Sequence, residues 1–177
     1  MNNAPNVKRI RAEIEGLKSY PNEGFQIYDI FNNKLIGVIE GPTHTSFENG
    51  FFLFEILIDE EYPLQRLRKF YFKTKMFHPN IDENKGLVYL DIFSNNWSPA
   101  LTLEKYILSV QSLLDSPNPD EFLNEKASKL YKENLVKYEE KVKEYTKRYA
   151  NFIIFEDKLT RYNFNIKHNN TFKKLTF

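Results

Sequence analysis

The chain has 177 residues, a formal net charge of +1, 41% hydrophobic and 28% charged residues, and 16% aromatics. This composition suits one domain with an extension and a substantial, aromatic-rich core. It contains no cysteine, which excludes disulfides, thiolate metal sites and any cysteine nucleophile, and its near-neutral charge gives no support to bulk electrostatic binding of nucleic acid or an anionic membrane.

No early apolar run resembles a signal peptide, and no stretch is long enough to span a bilayer. A soluble cytoplasmic or nuclear protein is therefore the expectation, with no membrane partner. Val7, Ile10, Ile14 and Leu17 recur at the spacing of one helix face. Asn6 is placed to cap that helix and Pro21 to end it. Lys8, Arg9 and Arg11 lie off the apolar face, as a solvated basic surface or a docking surface.

Residues 24–30, 35–40, 51–58 and 69–73 are rich in β-branched and aromatic residues and read as four strands. Asn32-Asn33, Gly41-Pro42 and Glu48-Asn49-Gly50 supply the turns. Alternation puts Phe52, Phe54, Ile56 and Ile58 on one face of the third strand and Phe51, Leu53 and Leu57 on the other. Four strands joined by short connections predict an antiparallel meander, and helices before and after it make the fold α+β.

His78 to Leu101 is neither one helix nor one strand. Pro79 and Pro99 each remove a donor, Gly86 permits a turn, and the apolar residues Ile81, Leu87, Val88, Leu90, Ile92, Phe93 and Trp97 argue for a packed segment. A long irregular segment inside a compact domain is usually functional. Its sub-sequences His78-Pro79-Asn80, Leu90-Asp91 and Trp97-Ser98-Pro99-Ala100 fall in a fixed order. That order resembles the active-site region of ubiquitin-conjugating enzymes, which carry His-Pro-Asn, Cys-Leu-Asp and Trp-Ser-Pro-Ala. The resemblance extends over about residues 7–150 and includes "IEGP", "FENGFFLFEI" and "DEEYP". It implies a ubiquitin-conjugating-enzyme-like core over residues 1–150, with residues 151–177 as an extension.

Two departures from that family stand out. Tyr89 holds the position of the family's catalytic cysteine. Residues 62–69 read YPLQRLRK where the family has Tyr-Pro-Phe-Lys-Pro-Pro, so Leu64 replaces a phenylalanine, Arg66 and Arg68 appear, and the loop is slightly longer. In the family this loop and the Ser98-Pro99-Ala100 equivalent are gripped by RING-type ligases, and the first helix contacts the activating enzyme and the ligase. The resemblance thus points to Lys8, Arg9, Arg11, Leu64, Arg66, Ser98, Pro99 and Ala100 as partner-binding residues.

After the central stretch, Leu103, Tyr106, Ile107, Val110 and Leu114 share a helix face, with Thr102 as cap, Glu104 in the first turn and Pro117-Asn118-Pro119 as terminator. Asn124 is placed to cap a short helix carrying Ala127, Leu130 and Tyr131. Leu135, Tyr138, Val142, Tyr145 and Tyr149 mark a last core-packing helix, with Glu139–Lys143 and Glu144–Arg148 at favourable spacing. The following segment, with Phe152, Ile153, Ile154 and Phe155 and then Tyr162, Phe164, Phe172 and Phe177, reads either as a helical extension plus a strand that packs back, or as a segment that awaits a partner.

The chemistry turns on Tyr89. A free thiol with pKa near 8.5 is a few per cent ionised at pH 7, whereas a phenol near 10 is ionised to about one part in a thousand. In the family the histidine equivalent to His78 is structural, the asparagine equivalent to Asn80 stabilises an oxyanion, and acidic residues at Asp120 and Glu121 assist the incoming lysine. Without an acyl donor, Tyr89 reads as a ring filling the donor groove, Asn80 as bonded to backbone in its own loop, and Asp120 and Glu121 as helix-start charges. Trp97 reads as a buried anchor. His44, His78 and His168 are too scattered for a metal site, and no cofactor is implied.

The expected function is therefore that of a non-catalytic family variant. It would bind an active conjugating enzyme, ubiquitin without a covalent link, or a ligase. The alternatives are an active conjugating enzyme whose cysteine has been exchanged for tyrosine in this chain, and a scaffold unconnected with ubiquitin.

Overall fold

The computed structural model describes residues 5–19, 24–31, 33–65, 67, 69–90 and 98–154. Helix α1 spans Pro5–Ser19. Strands β1 (Phe25–Phe31), β2 (Lys34–Glu40), β3 (Phe51–Leu57) and β4 (Lys69–Phe72) follow, then helices α2 (Leu103–Asp115), α3 (Glu125–Glu133) and α4 (Leu135–Tyr149). The strands form one sheet in sequential order, every pair antiparallel. This is the meander that the short turns predict. Asn33 and Asn49 take positive φ in two of those turns, 60° and 63°, as asparagine tolerates. Asn32 lies outside the described residues.

The helix expected to be capped by Asn6, and so to start at Val7, begins two residues earlier, at Pro5. A proline lacks the N–H that the first helical position leaves unbonded, and its fixed φ already suits that position. Ile10 and Ile14 are buried and Leu17 is half-buried, as the spacing requires.

The period-two reading of β3 gives the two faces of the sheet. Phe52, Phe54, Ile56 and Ile58 enter the main core with Leu35, Ile39, Phe70 and Phe72. Phe54 stacks on Phe70 at 4.9 Å, and Phe70 meets Tyr106 of α2 at 6.3 Å. Phe51 and Leu53 join Ile36 and Val38 in a second cluster on the opposite face. Glu55 lies on that face too, its side chain 8% exposed and held by Lys73 at 3.2 Å and Lys34 at 3.6 Å. A buried carboxylate requires such partners.

The C-terminal helices follow their sequence signals. Thr102, Asn124 and Asn134 cap α2, α3 and α4 by accepting from the backbone N–H three residues on. Leu103, Tyr106, Ile107 and Val110 are fully buried. On α4, Tyr138 and Val142 are buried, and the exposed Leu135 marks the outer end of the stripe. The pair expected between Glu144 and Arg148 is replaced: Glu144 meets Lys141 at 2.7 Å, and Arg148 lies over the Tyr149 ring at 5.2 Å. Stacking on an adjacent ring satisfies a guanidinium as well as an exposed carboxylate does.

Candidate functional site

The site begins with a turn that cannot be solvated. Met76, Phe77, His78, Asn80 and Ile81 are all buried, so the polar members must find partners inside the protein. His78 Nδ1 accepts from the backbone N–H of Asn80 at 3.0 Å. That fixes the tautomer, and Nε2–H donates to the carbonyl of Leu113 in α2 at 3.0 Å. Complete burial pushes the imidazole down to about 4, because the cation would lose its hydration. His78 is thus a neutral strut between the turn and α2, with both nitrogens engaged, and offers no base to a neighbour.

Asn80 is equally committed. Its Oδ1 accepts from Asn118 N at 2.9 Å, and its Nδ2 donates to the carbonyls of Asn118 at 2.7 Å and Glu121 at 2.6 Å. The expectation of backbone partners is met, but they lie in residues 118–121 rather than in the turn's own loop. The reason is geometric: the carbonyl of Pro79 accepts from Leu123 N and Asn124 N, both at 2.9 Å. The 118–124 segment is thereby drawn against the turn, and its free carbonyls fall to the Asn80 amide.

Gly86 brings the chain back. Its φ is +70°, and a Cβ there would sit 1.9 Å from the carbonyl oxygen of Phe72, so only glycine fits. Asp82 closes the same turn, its carboxylate accepting from Asn84 N and Lys85 N at 3.0 and 2.6 Å. Val88 then pairs with Ile81, and Tyr89 N donates to Asn80 O at 2.9 Å. The Tyr89 ring is 38% exposed. With Asn80, Leu90, Leu113, Asn118 and Glu121 it lines a cleft of about 220 Å³. A larger cleft of about 460 Å³, between residues 44–48 and α4, contains none of the motif residues.

Asp120 and Glu121 are not helix-start charges. Helix α3 begins at Glu125 behind its Asn124 cap, so the two acids precede the first turn, and Glu125 occupies the favourable position. Asp120 instead pairs with Lys132 at 2.7 Å. Glu121 is exposed and reaches the site through its backbone carbonyl. Asp91 and Trp97 lie outside the described residues.

The expected partner surface is organised by a residue that sequence reading missed, Glu13. Its carboxylate pairs with Arg9, accepts from Tyr62 Oη at 3.0 and 3.1 Å, and accepts from Leu103 N at 2.7 Å. It joins α1, the segment after β3 and the start of α2. Arg9 also donates to Pro99 O at 3.5 Å. Arg9 is therefore tied down by Glu13 while its side chain stays 36% exposed; Lys8 and Arg11 are exposed. The spacing of Arg9 and Glu13 by four is the one signal that could have revealed the pair. Leu64 is 78% exposed, and Ser98, Pro99 and Ala100 are exposed. Glu13 thus ties the segments bearing Leu64 and Pro99 to α1. The Tyr62–Pro63 peptide is cis. Arg66 and Arg68 lie outside the described residues. Among the described residues, no group of three or more His, Asp or Glu is placed to hold a metal ion, and no helix is long and apolar enough to cross a membrane.

A leading helix, a four-stranded meander, a buried His-Pro-Asn turn and C-terminal helices define the α+β class of conjugating-enzyme domains. The family model described as "Ubiquitin-conjugating enzyme" matches residues 9–146, and the chain belongs to that family. A solved Plasmodium yoelii structure, assigned as a ubiquitin conjugating enzyme, superposes with a TM-score of 0.79 at 32% sequence identity, covering 85% of this chain and 99% of that one.

Proposed function

We propose that this chain is a non-catalytic member of the ubiquitin-conjugating enzyme family that works by binding proteins of ubiquitin or ubiquitin-like conjugation. One observation carries the reading: Tyr89 stands where the family motif places its cysteine, and the chain contains no thiol elsewhere. A thioester has no sulfur on which to form. The surroundings of Tyr89 support the same reading. His78 has no free nitrogen to take a phenolic proton, and both N–H groups of the Asn80 amide are bonded to carbonyls rather than open to an oxyanion. The Tyr89 ring lines the small cleft beside them.

Binding is proposed to use the surface that Glu13 organises: the exposed Leu64, Ser98, Pro99 and Ala100, with Lys8 and Arg11 of α1. Its partners are an active conjugating enzyme, ubiquitin held without a covalent bond, or a ligase. The deciding experiment is a pair. The chain is incubated with activating enzyme, ATP and ubiquitin and run on non-reducing gels, and the isotope-labelled chain is titrated by NMR with ubiquitin and with a mixture of active conjugating enzymes. The reading predicts no adduct and saturable shifts in the second arm. An adduct resistant to reductant but cleaved by mild base would make Tyr89 an ester former. No shifts with any partner would favour a scaffold unconnected with ubiquitin.

A further inference from the structure

The cleft of about 460 Å³ lies between the 44–48 turn, the end of α2 and helices α3 and α4, and it shares no residue with the one beside Tyr89. Its volume falls in the range of ligand sites. Its walls are fixed. Phe47 is 3% exposed and meets Phe52 edge-on at 5.7 Å. Thr146 Oγ1 of α4 donates to Ser46 O at 3.3 Å, which ties the turn to the helix.

One wall carries an unmet polar group. Tyr138 of α4 lines the cleft, is 4% exposed, and has a hydroxyl with no hydrogen-bond partner. Its ring is held between those of Phe77 at 6.0 Å and Tyr131 at 5.0 Å. Burial raises the phenol above its ordinary range, so it stays neutral. A buried hydroxyl without a partner is costly, and a polar group in the cleft would relieve that cost.

Charge says which group. Glu48, Asp115 and Glu139 line the cleft against one lysine, Lys143. Glu48 accepts from His44 N at 3.1 Å, whereas Asp115 and Glu139 are exposed on two different helices. Two nearby lysines are engaged elsewhere, Lys132 with Asp120 and Lys141 with Glu144. Helix α2 ends at Asp115, so the negative end of its dipole adds to the same field. Among the described residues no acids are grouped to hold a metal ion. The complement is therefore an organic cation that spreads several donors over separate acceptors. A guanidinium does this and also stacks on rings such as Tyr131, whereas an ammonium is a compact, strongly hydrated point.

We propose that this cleft takes an arginine side chain presented by a partner protein, with the Tyr138 hydroxyl accepting from the guanidinium and Asp115 and Glu139 supplying its counter-charge. Leu135, which lines the cleft and is 49% exposed, and Val136 beside it, 66% exposed, offer apolar contact to the residues flanking that arginine. The site is separate from the surface organised by Glu13 and does not rest on the ubiquitin reading.

The test titrates the isotope-labelled full chain by NMR with a capped hexapeptide holding one arginine between leucines, and with its citrulline and glutamate counterparts. Saturable shifts at the Thr45 and Ser46 amides and the Leu114 and Leu135 methyls are expected with arginine. Citrulline, the same shape without charge, should bind at least about tenfold more weakly, and glutamate should not bind. Equal binding of arginine and citrulline, shifts confined to other surfaces, or none at millimolar peptide would overturn the proposal. Tyr138→Phe removes the unpartnered hydroxyl. It is expected to be as stable as the parent in urea, yet to bind the arginine peptide about tenfold more weakly; unchanged affinity would take the hydroxyl out of the site. The double variant Asp115→Asn, Glu139→Gln alters only exposed positions and keeps the test open should Tyr138→Phe fail to fold. It should lose binding while melting like the parent, and full affinity in it would overturn the charge argument. No ubiquitin or conjugating enzyme enters the experiment, so its failure is distinct from failure of the proposed function.

Discussion

Asn80 and Asn118 hold each other in both directions, the side chain of Asn80 accepting from the backbone N–H of Asn118 at 2.9 Å and donating to its carbonyl at 2.7 Å. This pair of hydrogen bonds closes the 118–124 segment onto the His-Pro-Asn turn. Removing it therefore costs stability before anything else. Asn80→Ala is expected to lower unfolding free energy by about 2–4 kcal/mol, since buried partners lose their bonds. Asn80→Asp keeps the acceptor but turns a charge towards two carbonyls, so it also destabilises. Urea melts of the three proteins check both statements.

His78 makes stability depend on pH. Its folded value is depressed to about 4 by burial, against about 6.5 when unfolded. Below 6.5 the unfolded chain takes up a proton that the folded one refuses. The stabilisation is complete above that pH and is lost progressively as pH falls to about 4, by roughly 3 kcal/mol in all. Chemical denaturation at steps between pH 7 and 4 should show this slope, and replacing the imidazole should flatten it within that window.

The Glu13 side chain is only 10% exposed and has three partners, so its truncation costs more than that of a surface acid. Glu13→Ala takes the acceptor from Leu103 N, the hydrogen bond shared between both carboxylate oxygens from Tyr62 Oη, and the counter-charge from Arg9. A loss of about 2–4 kcal/mol is expected. Glu13→Gln keeps an acceptor and should lose less. A thermal melt in which alanine and glutamine cost the same would mean that the carboxylate carries nothing beyond its volume.

Tyr89→Cys places a thiol at the position proposed to correspond to the family's cysteine. The ring is 38% exposed, so the exchange should cost no more than about 1–2 kcal/mol, below the penalty for emptying a sealed core site. The variant is expected to fold and to form a slow, reductant-sensitive adduct with ubiquitin, which the wild type cannot. A folded variant that stays uncharged on a non-reducing gel would show that docking on the activating enzyme has been lost along with the nucleophile.

Leu64 projects into solvent in place of the family's phenylalanine, without the prolines that follow in the family's loop. Binding to unrelated RING domains is expected to be weak or absent, and Leu64→Phe should strengthen it. Micromolar binding by the unaltered chain to several such domains, measured by calorimetry, would show that the loop sequence is unimportant.

Much of this protein is readable along the chain because its signals are local. Ile10 and Ile14 mark α1 by spacing, Phe52 and Phe54 mark the core face of β3 by alternation, and Thr102 and Asn124 announce the helices they cap. Each is set by contacts within one turn or one strand. The start of α1 at Pro5 rather than after Asn6 shows the limit even of local reading, since two plausible starting residues stand side by side. The reach of Glu13 to Tyr62 and Leu103 and the pairing of Asp120 with Lys132 were not legible, because a charged side chain has no period that says which distant neighbour it will meet.

By itself the sequence determined the order of elements, the meander and the absence of any thiol, and its motif resemblance carries the proposal that Tyr89 corresponds to the family's cysteine. These follow from residue identity and near-neighbour spacing. Only the tertiary structure decided that His78 is a neutral strut on Leu113, that Asn80 grips residues 118 and 121, and that Glu13 ties three segments together. The reason is desolvation. A polar group buried by packing must take whatever donor or acceptor the fold brings within 3 Å, and partners 35 to 90 residues away are chosen by how helices and loops pack, not by the residues beside it in the chain.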